Sequence, residues 1–244
     1  MGSFPDGVYR AQFPYYYRNP EGMPQEAALD YYLNSIKDVF EQCGPADSIA
    51  AIVVQPLQGE GGFIPAPIEW VKAVRKICDE NGILLVADEV QTGFCRTGRM
   101  FATQYWEEAG VQPDILATAK SIAAALKTIE IMERDDLAGR SCEIGEKVSK
   151  RFNEWKEKYP VIGDVRGLGG MIGLEFVKDQ ESKEPYPEFS AAVISGCAKK
   201  GLMIEGAGTY GNVIRFLAPL VMTDEQLEAG LDIYESVIKE LLEK

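Results

Sequence analysis

The chain has 244 residues, of which 46% are hydrophobic and 26% are charged, and its formal net charge is −13. This composition is typical of a globular protein and excludes a disordered tail, a collagen-like repeat and a membrane-embedded protein. The acidic balance disfavours binding to nucleic acid or to anionic membranes, because it provides no basic surface for phosphate groups. The chain contains no histidine. Proton transfer must therefore use Lys, Glu, Asp or Tyr, and most catalytic zinc sites are excluded.

The five cysteines are widely spaced and odd in number, and no two of them form a Cys-x-x-Cys pair. This pattern predicts free thiols in a reducing compartment rather than a disulfide framework or a metal cluster. No charged and then apolar leader opens the chain, and no apolar run approaches the roughly 18 residues that a membrane span needs. We therefore expect a cytoplasmic protein without a metal site.

The first 20 residues hold three prolines and six aromatic residues without a regular period, which predicts an extended arm packed on another surface, most simply that of a partner subunit. The apolar patterns then predict, in chain order, a helix over 24–43, a strand over 50–54, a helix between Pro67 and Gly82, and strands over 83–87 and 114–118. Strands that are almost continuously apolar indicate a parallel sheet covered on both faces. The ligand of such a sheet lies at the carboxyl ends of its strands.

The pattern changes after Lys120. Residues 124–158 predict one or two long helices, residues 161–177 two strands around a glycine turn, residues 187–200 a helix, residues 202–219 two short strands, and Thr223 with Gln226 the capping pair of a final helix. We predict an α/β protein with three parts: a large domain over 1–123, connecting helices over 124–158 and a smaller C-terminal α+β domain over 159–244.

Asp88 and Lys120 follow the ends of two neighbouring predicted strands. A carboxylate that leaves a buried strand needs a cationic partner, and a lysine at the exit of the next strand could provide it. Taken alone, this spacing favours a plain ion pair at the rim of the sheet over a functional site.

Four sequence blocks favour a functional site over a plain ion pair. In chain order they are QGEGGF, GILLVADEVQTGFCRTGRMFA, PDILATAKS and GNVIRFLAPLVMTDEQL. Together they strongly resemble the class III aminotransferases, which are fold-type-I pyridoxal-phosphate enzymes, and within them the 4-aminobutyrate group. The resemblance covers nearly every residue from Phe4 to the C-terminus. It implies a PLP-transferase-like large domain that is incomplete here, a mainly parallel sheet, a smaller C-terminal domain, and a homodimer.

The resemblance also implies roles for five residues. Lys120 would form a Schiff base with pyridoxal 5'-phosphate and then act as the base that moves the substrate proton. Asp88 would bind the protonated pyridine nitrogen, and Gln91 the phenolic oxygen of the ring. Arg215 would grip the α-carboxylate of 2-oxoglutarate, and Glu60 would neutralise this arginine when an ω-amino substrate is bound. A simple ion pair of Arg215 with a surface acid is the alternative.

The chain departs from the family in two segments and two residues. It lacks the N-terminal part that supplies the phosphate-binding turn and the aromatic residue stacked on the ring, and it lacks an internal segment after Ala123 whose threonine reaches the partner's phosphate. Gln55 stands where many relatives have Glu, and Cys95 where a small residue is usual.

From the resemblance we expect transamination of a 4-aminobutyrate-like ω-amino acid with 2-oxoglutarate. The alternatives are a catalytically impaired remnant, an enzyme for 5-aminovalerate, ornithine or acetylornithine, and an amino-acid racemase.

Overall fold

A computed structural model describes residues 6–118 and 122–243, with the backbone alone for 122–125. The helices are α1 (Gln25–Gln42), α2 (Ile68–Asn81), α3 (Gln104–Glu108), α4 (Ile122–Arg134), α5 (Leu137–Lys158), α6 (Pro187–Lys199) and α7 (Asp224–Leu242). The strands are β1 (Ala51–Val54), β2 (Leu57–Gln58), β3 (Ile64–Pro65), β4 (Leu84–Asp88), β5 (Ile115–Ala117), β6 (Ile162–Leu168), β7 (Met171–Phe176), β8 (Glu205–Ala207) and β9 (Val213–Phe216).

The helices and strands that the sequence predicts are present, with ends that move by one to three residues. The long helical region divides into α4 and α5, and Asp136 caps α5 by accepting a hydrogen bond from the Gly139 amide. The sequence analysis missed α3 and the β2–β3 hairpin. Each strand of that hairpin has only two residues, which is too short to show an alternating pattern.

The described residues form two compact units. The first lies within Met1–Val54, Ala66–Asp88 and Tyr105–Ala117, and the second within Gln55–Pro65, Glu89–Gln104 and Thr118–Lys244. Each unit has its own sheet, and the domain boundaries at residues 123 and 158 stay predictions. None of the helices described in the structure is long and apolar enough to cross a membrane.

The first unit contains a parallel sheet in the order β1-β4-β5. Its core is formed by one face of this sheet together with α1 and α2, and includes Val54, Leu85 and Trp70. The opposite face is open: Val53 is 66% exposed, and Leu84 and Ile115 are nearly half exposed. Within residues 6–118 and 122–243, the prediction that both faces are covered is therefore wrong, because strand hydrophobicity cannot say whether a cover is present.

The aromatic arm packs on helices of its own unit. The Phe13 ring lies 5.5 Å from that of Trp70 on α2, and the Tyr16 ring lies 6.0 Å from that of Tyr32 on α1. The Tyr16 hydroxyl donates a hydrogen bond to Glu69 at 3.1 Å. The surface that the sequence analysis assigned to a partner subunit is thus, for these rings, part of the same chain.

The second unit contains an antiparallel sheet in the order β6-β7-β9-β8. Helices α5, α6 and α7 contribute Phe152, Val193 and Tyr234 to the main core of this unit. Gly145 in α5 permits a close approach, because a Cβ there would lie 2.0 Å from the carbonyl oxygen of Gly169. Gly169 itself has a φ of +50° in the β6–β7 turn, where glycine carries the smallest steric cost.

The last helix is held by its cap and by charged contacts to α5. Thr223 and Gln226 form the capping box that the sequence predicts. Glu235 is largely buried and accepts hydrogen bonds from Lys158 at 3.0 Å and from the Tyr159 hydroxyl at 2.9 Å. Burial opposes ionisation of Glu235, but these bonds and Lys239 outweigh it and lower the pKa of this carboxyl to about 2.

Candidate active site

Glu60 and Arg215 lie in contact although 155 residues separate them. Arg215 on β9 donates from Nη1 to Glu60 Oε1 at 2.5 Å. The arginine side chain is 14% exposed and the glutamate side chain 79% exposed. Burial opposes the charge on Arg215, but hydrogen bonding to Glu60 and the charges of Glu60 and Glu205 raise its pKa. The contact predicted for these two residues is present, whereas its catalytic role stays a prediction.

The glycine turn between β2 and β3 brings Glu60 to β9. Gly62 adopts a φ of +112° in this turn, a conformation that other residues avoid. The Gly208 amide donates to the Glu60 carbonyl at 2.9 Å. A Cβ on Gly173, which pairs with Arg215 in the sheet, would lie 3.0 Å from the Gly62 carbonyl oxygen. Two glycines therefore allow the turn to lie directly against the sheet beside Arg215.

Arg166 supports the same turn, and sequence analysis missed it. Its Nε donates to the Gly62 carbonyl oxygen at 2.8 Å. Its Nη1 donates to Glu175 at 2.7 Å and to Asp164 at 2.9 Å. Glu175 is fully buried and also accepts from Asn212 at 3.3 Å. The signal in the sequence was a set of charged residues inside two apolar strands, because a charge buried in a sheet requires a partner.

Asp88 and Glu89 follow one another, but they have different surroundings. Asp88 is the last residue of β4, is half-buried, and pairs in register with Ala117 on β5. Glu89 is fully buried and accepts hydrogen bonds from the Thr92 hydroxyl and, at 2.7 Å, from the Thr103 amide. Glu89 therefore stabilises the loop after β4, whereas Asp88 ends the strand itself.

The side chain of Gln91 occupies space that is open because Gly59 has no side chain. A Cβ at Gly59 would lie 1.5 Å from Gln91 Oε1, so only glycine lets the amide occupy this position. The side-chain amide of Gln91 thus lies beside the turn that carries Glu60. Lys120, the predicted catalytic amine, lies outside the described residues.

The family model described as "Aminotransferase class-III" matches residues 1–126 and 121–238. The chain belongs to the class-III aminotransferase family. The chain is 37% identical to a probable 4-aminobutyrate aminotransferase of Bacillus subtilis and 38% identical to a 5-aminovalerate aminotransferase of Pseudomonas putida. These matches cover 98% and 99% of the chain, and the chain spans 62% of the length of each relative.

A solved structure agrees with the family assignment. An amine transaminase from an uncultivated Pseudomonas species, in its PLP-bound (internal aldimine) form, matches with a TM-score of 0.86 and 28% identity. The match covers 98% of this chain and 63% of that chain. The prediction of an incomplete PLP-transferase-like α/β fold is therefore confirmed, and membership of the family indicates pyridoxal phosphate as the cofactor.

The predicted internal gap is supported by the same comparisons. The match to the Bacillus protein extends over 274 aligned positions, whereas the chain has 244 residues. At least 30 positions of the relative, the difference between these two numbers, therefore have no counterpart within the chain. The two matches to the family model meet at residues 121–126, where the sequence analysis placed the missing segment after Ala123.

The side chains described in the structure fit the ring of pyridoxal phosphate by their chemistry. The carboxylate of Asp88 suits a protonated pyridine nitrogen, and the amide of Gln91, held against Gly59, suits a phenolic oxygen. Among the described residues, no group of three acidic or cysteine side chains could hold a metal ion. Two of the three predicted cofactor-binding groups, Asp88 and Gln91, therefore lie among the residues that the structure describes.

Proposed function

We propose that this protein takes part in the transamination of a 4-aminobutyrate-like ω-amino acid with 2-oxoglutarate, through pyridoxal phosphate bound at Lys120. The observation that carries this proposal is the pair of Glu60 and Arg215. A largely buried guanidinium held by a largely exposed carboxylate is suited to exchange that carboxylate for the carboxylate of a ligand.

The Glu60–Arg215 pair would serve two substrates in turn. When 2-oxoglutarate or glutamate binds, Arg215 would take its α-carboxylate, and Glu60 would turn towards solvent. When an ω-amino donor without an α-carboxylate binds, Glu60 would return and neutralise Arg215. This exchange keeps a carboxylate on Nη1 of Arg215 with either substrate, because an unsatisfied donor of a largely buried guanidinium would be costly.

Three residues would act on the cofactor, which when bound supplies an aldehyde for the amino group and a ring that accepts electrons. Asp88 would keep the ring nitrogen protonated, and Gln91 would orient the ring. Lys120 would hold the cofactor covalently and carry the proton on its Nζ. The register of the sheet supports this assignment, because Ala117 pairs with Asp88 and Lys120 follows three residues later, within about 11 Å of extended chain.

The test combines cofactor attachment with substrate conversion. The protein is incubated with pyridoxal phosphate and reduced with borohydride, and its peptides are mapped by mass spectrometry. We expect the pyridoxyl group on Lys120, and glutamate formed from 2-oxoglutarate and 4-aminobutyrate. Lys120→Ala should abolish both. Labelling at another lysine, or glutamate formation unchanged in Lys120→Ala, would refute the proposal.

The choice of donor is tested with a panel of amines. 4-Aminobutyrate, 5-aminovalerate, ornithine and acetylornithine are each offered with 2-oxoglutarate. A racemase would instead invert an α-amino acid without converting 2-oxoglutarate to glutamate.

We propose a homodimer as the assembly, since a twofold dimer is the commonest oligomer, and sedimentation would show a monomer if this is wrong.

An impaired remnant is the second candidate, and the internal gap of at least 30 positions favours it. The 244-residue chain would then bind the cofactor weakly, because the resemblance assigns that missing internal segment a contact with the phosphate of the partner's cofactor. Dialysis of the loaded 244-residue chain separates the two candidates. A remnant loses the pyridoxal phosphate, whereas stoichiometric retention contradicts this second candidate.

A further inference from the structure

Arg215 has a second acidic partner that its role in carboxylate binding does not require. Its Nη2 donates to Glu205 Oε2 at 2.7 Å, while its Nη1 donates to Glu60. Glu205 lies on the edge strand β8, directly opposite Arg215 in the antiparallel register. Paired residues of antiparallel strands project from the same face, so the sheet itself brings these two side chains together.

The two acids differ in how they are held. Glu60 lies in a glycine-rich turn, whereas Glu205 belongs to a strand whose backbone is paired with that of Arg215. Departure of Glu60 would release Nη1, while Nη2 would still donate to Glu205 and the buried Nε has no hydrogen-bond partner among the described residues. A carboxylate that bridges Nη1 and Nη2 bidentately would share Nη2 with Glu205 and would lie beside that like-charged carboxylate.

The charge balance leads to the same conclusion. With Glu60 turned away, Arg215 and Glu205 together carry no net charge, so an incoming carboxylate meets a neutral pair instead of a free cation. We propose that Glu205 is a specificity residue that weakens the binding of α-carboxylates at Arg215. It thereby favours donors without an α-carboxylate over the dicarboxylic acceptor. This inference rests on the proposed function of Arg215.

The effect should be moderate. The side chain of Glu205 is 72% exposed, and pairs between exposed acids and arginines are weak and screened by salt. We expect removal of the Glu205 charge to strengthen 2-oxoglutarate binding by about two- to fivefold at low salt. Raising the salt should reduce this difference, because screening weakens the competing pair.

The experiment measures the dissociation constant of 2-oxoglutarate by calorimetry or ligand-observed NMR. The parent chain is compared with Glu205→Gln, with Glu205→Thr, which suits a strand, and with Arg215→Gln. The matched control is Glu240→Gln, which removes the same charge from an exposed pair with Lys200 between α6 and α7. Circular dichroism checks that all variants fold alike.

We expect tighter binding in both Glu205 variants, no change in Glu240→Gln and a loss of binding in Arg215→Gln. Binding that needs Arg215 but does not respond to Glu205 overturns this inference and leaves the proposed function standing. Binding that is unaffected by Arg215→Gln, or absent from every variant, overturns both. A gain of equal size in Glu240→Gln would mean that only net charge matters, which also overturns the inference.

Discussion

Replacing Arg166 by Met tests whether the turn that carries Glu60 depends on a buried charge network. The change removes the cation that contacts Glu175, whose side chain is 1% exposed. It also removes the donor to the Gly62 carbonyl. Loss of one member of a buried ion pair costs about 3–5 kcal/mol, because the remaining charge stays buried without compensation. We expect the lower end, about 3 kcal/mol, since Asp164 in the same network is partly exposed.

Hydrogen exchange followed by mass spectrometry measures this cost locally. A loss of about 3 kcal/mol corresponds to exchange about 100-fold faster or more in peptides from β6, β7 and β9. Peptides from α2, in the other unit, serve as the internal reference. The double variant Arg166→Met/Glu175→Gln should recover at least half of the loss, because it removes both charges and keeps an acceptor for Asn212.

Arg75→Met is the matched control for this experiment; because Arg75 lies in α2, its cost is measured in the peptides of α2, and those of α7 serve as the reference for this variant. Arg75 is similarly buried, but its partners Asp79 and Asp114 are substantially exposed, so its loss should cost no more than about 1 kcal/mol. The reasoning is refuted if Arg166→Met costs less than this control. It is also refuted if the double variant is at least as unstable as Arg166→Met alone.

Three further predictions concern the same fold and site. Gly145→Ala should destabilise the protein, because its Cβ would lie 2.0 Å from a backbone oxygen. Gly230→Ala, also within a helix, has its nearest atom at 3.5 Å and should stabilise the protein by about 0.5–1 kcal/mol. Urea unfolding compares the two variants, and equal effects on the free energy of unfolding would contradict the packing argument. The pKa of Glu235 is lowered in the folded protein from 4.5 to about 2, so its stabilising contribution is complete above pH 4.5 and is lost as the pH falls towards 2. Glu235→Gln should therefore reduce the fall in the free energy of unfolding between pH 4.5 and 2, and an unchanged fall would refute this. Gly59→Ala should displace the amide of Gln91 and weaken binding of pyridoxal phosphate in an absorbance titration, and equal affinity with the parent would count against the role of Gln91.

The fold was predictable wherever the pattern is local. Helix α2 shows an apolar stripe between Pro67 and Gly82, and its C-cap residue Gly82 has the left-handed φ that a glycine permits. The capping box at Thr223 likewise depends on residues three apart. Such signals lie within a few neighbouring residues, so they can be recognised without knowledge of the rest of the molecule.

The site was predictable only in part. The contact between Glu60 and Arg215 was expected from the resemblance to a family, since no local pattern joins residues so far apart. The support from Arg166 and the second acid at Glu205 were not expected. Both depend on which residues face each other across β6, β7, β9 and β8, and strand register is a property of the assembled sheet.

The amino-acid sequence by itself determined the order of most helices and strands, the family, and the candidate residues of the site. Only the tertiary structure decided that one face of the parallel sheet is open, that the aromatic arm lies on α1 and α2, and that Arg215 is shared between two acids. The physical reason is distance along the chain. Helices and turns form from neighbouring residues, whereas burial, sheet register and charge pairing arise between segments that meet only when the chain has folded.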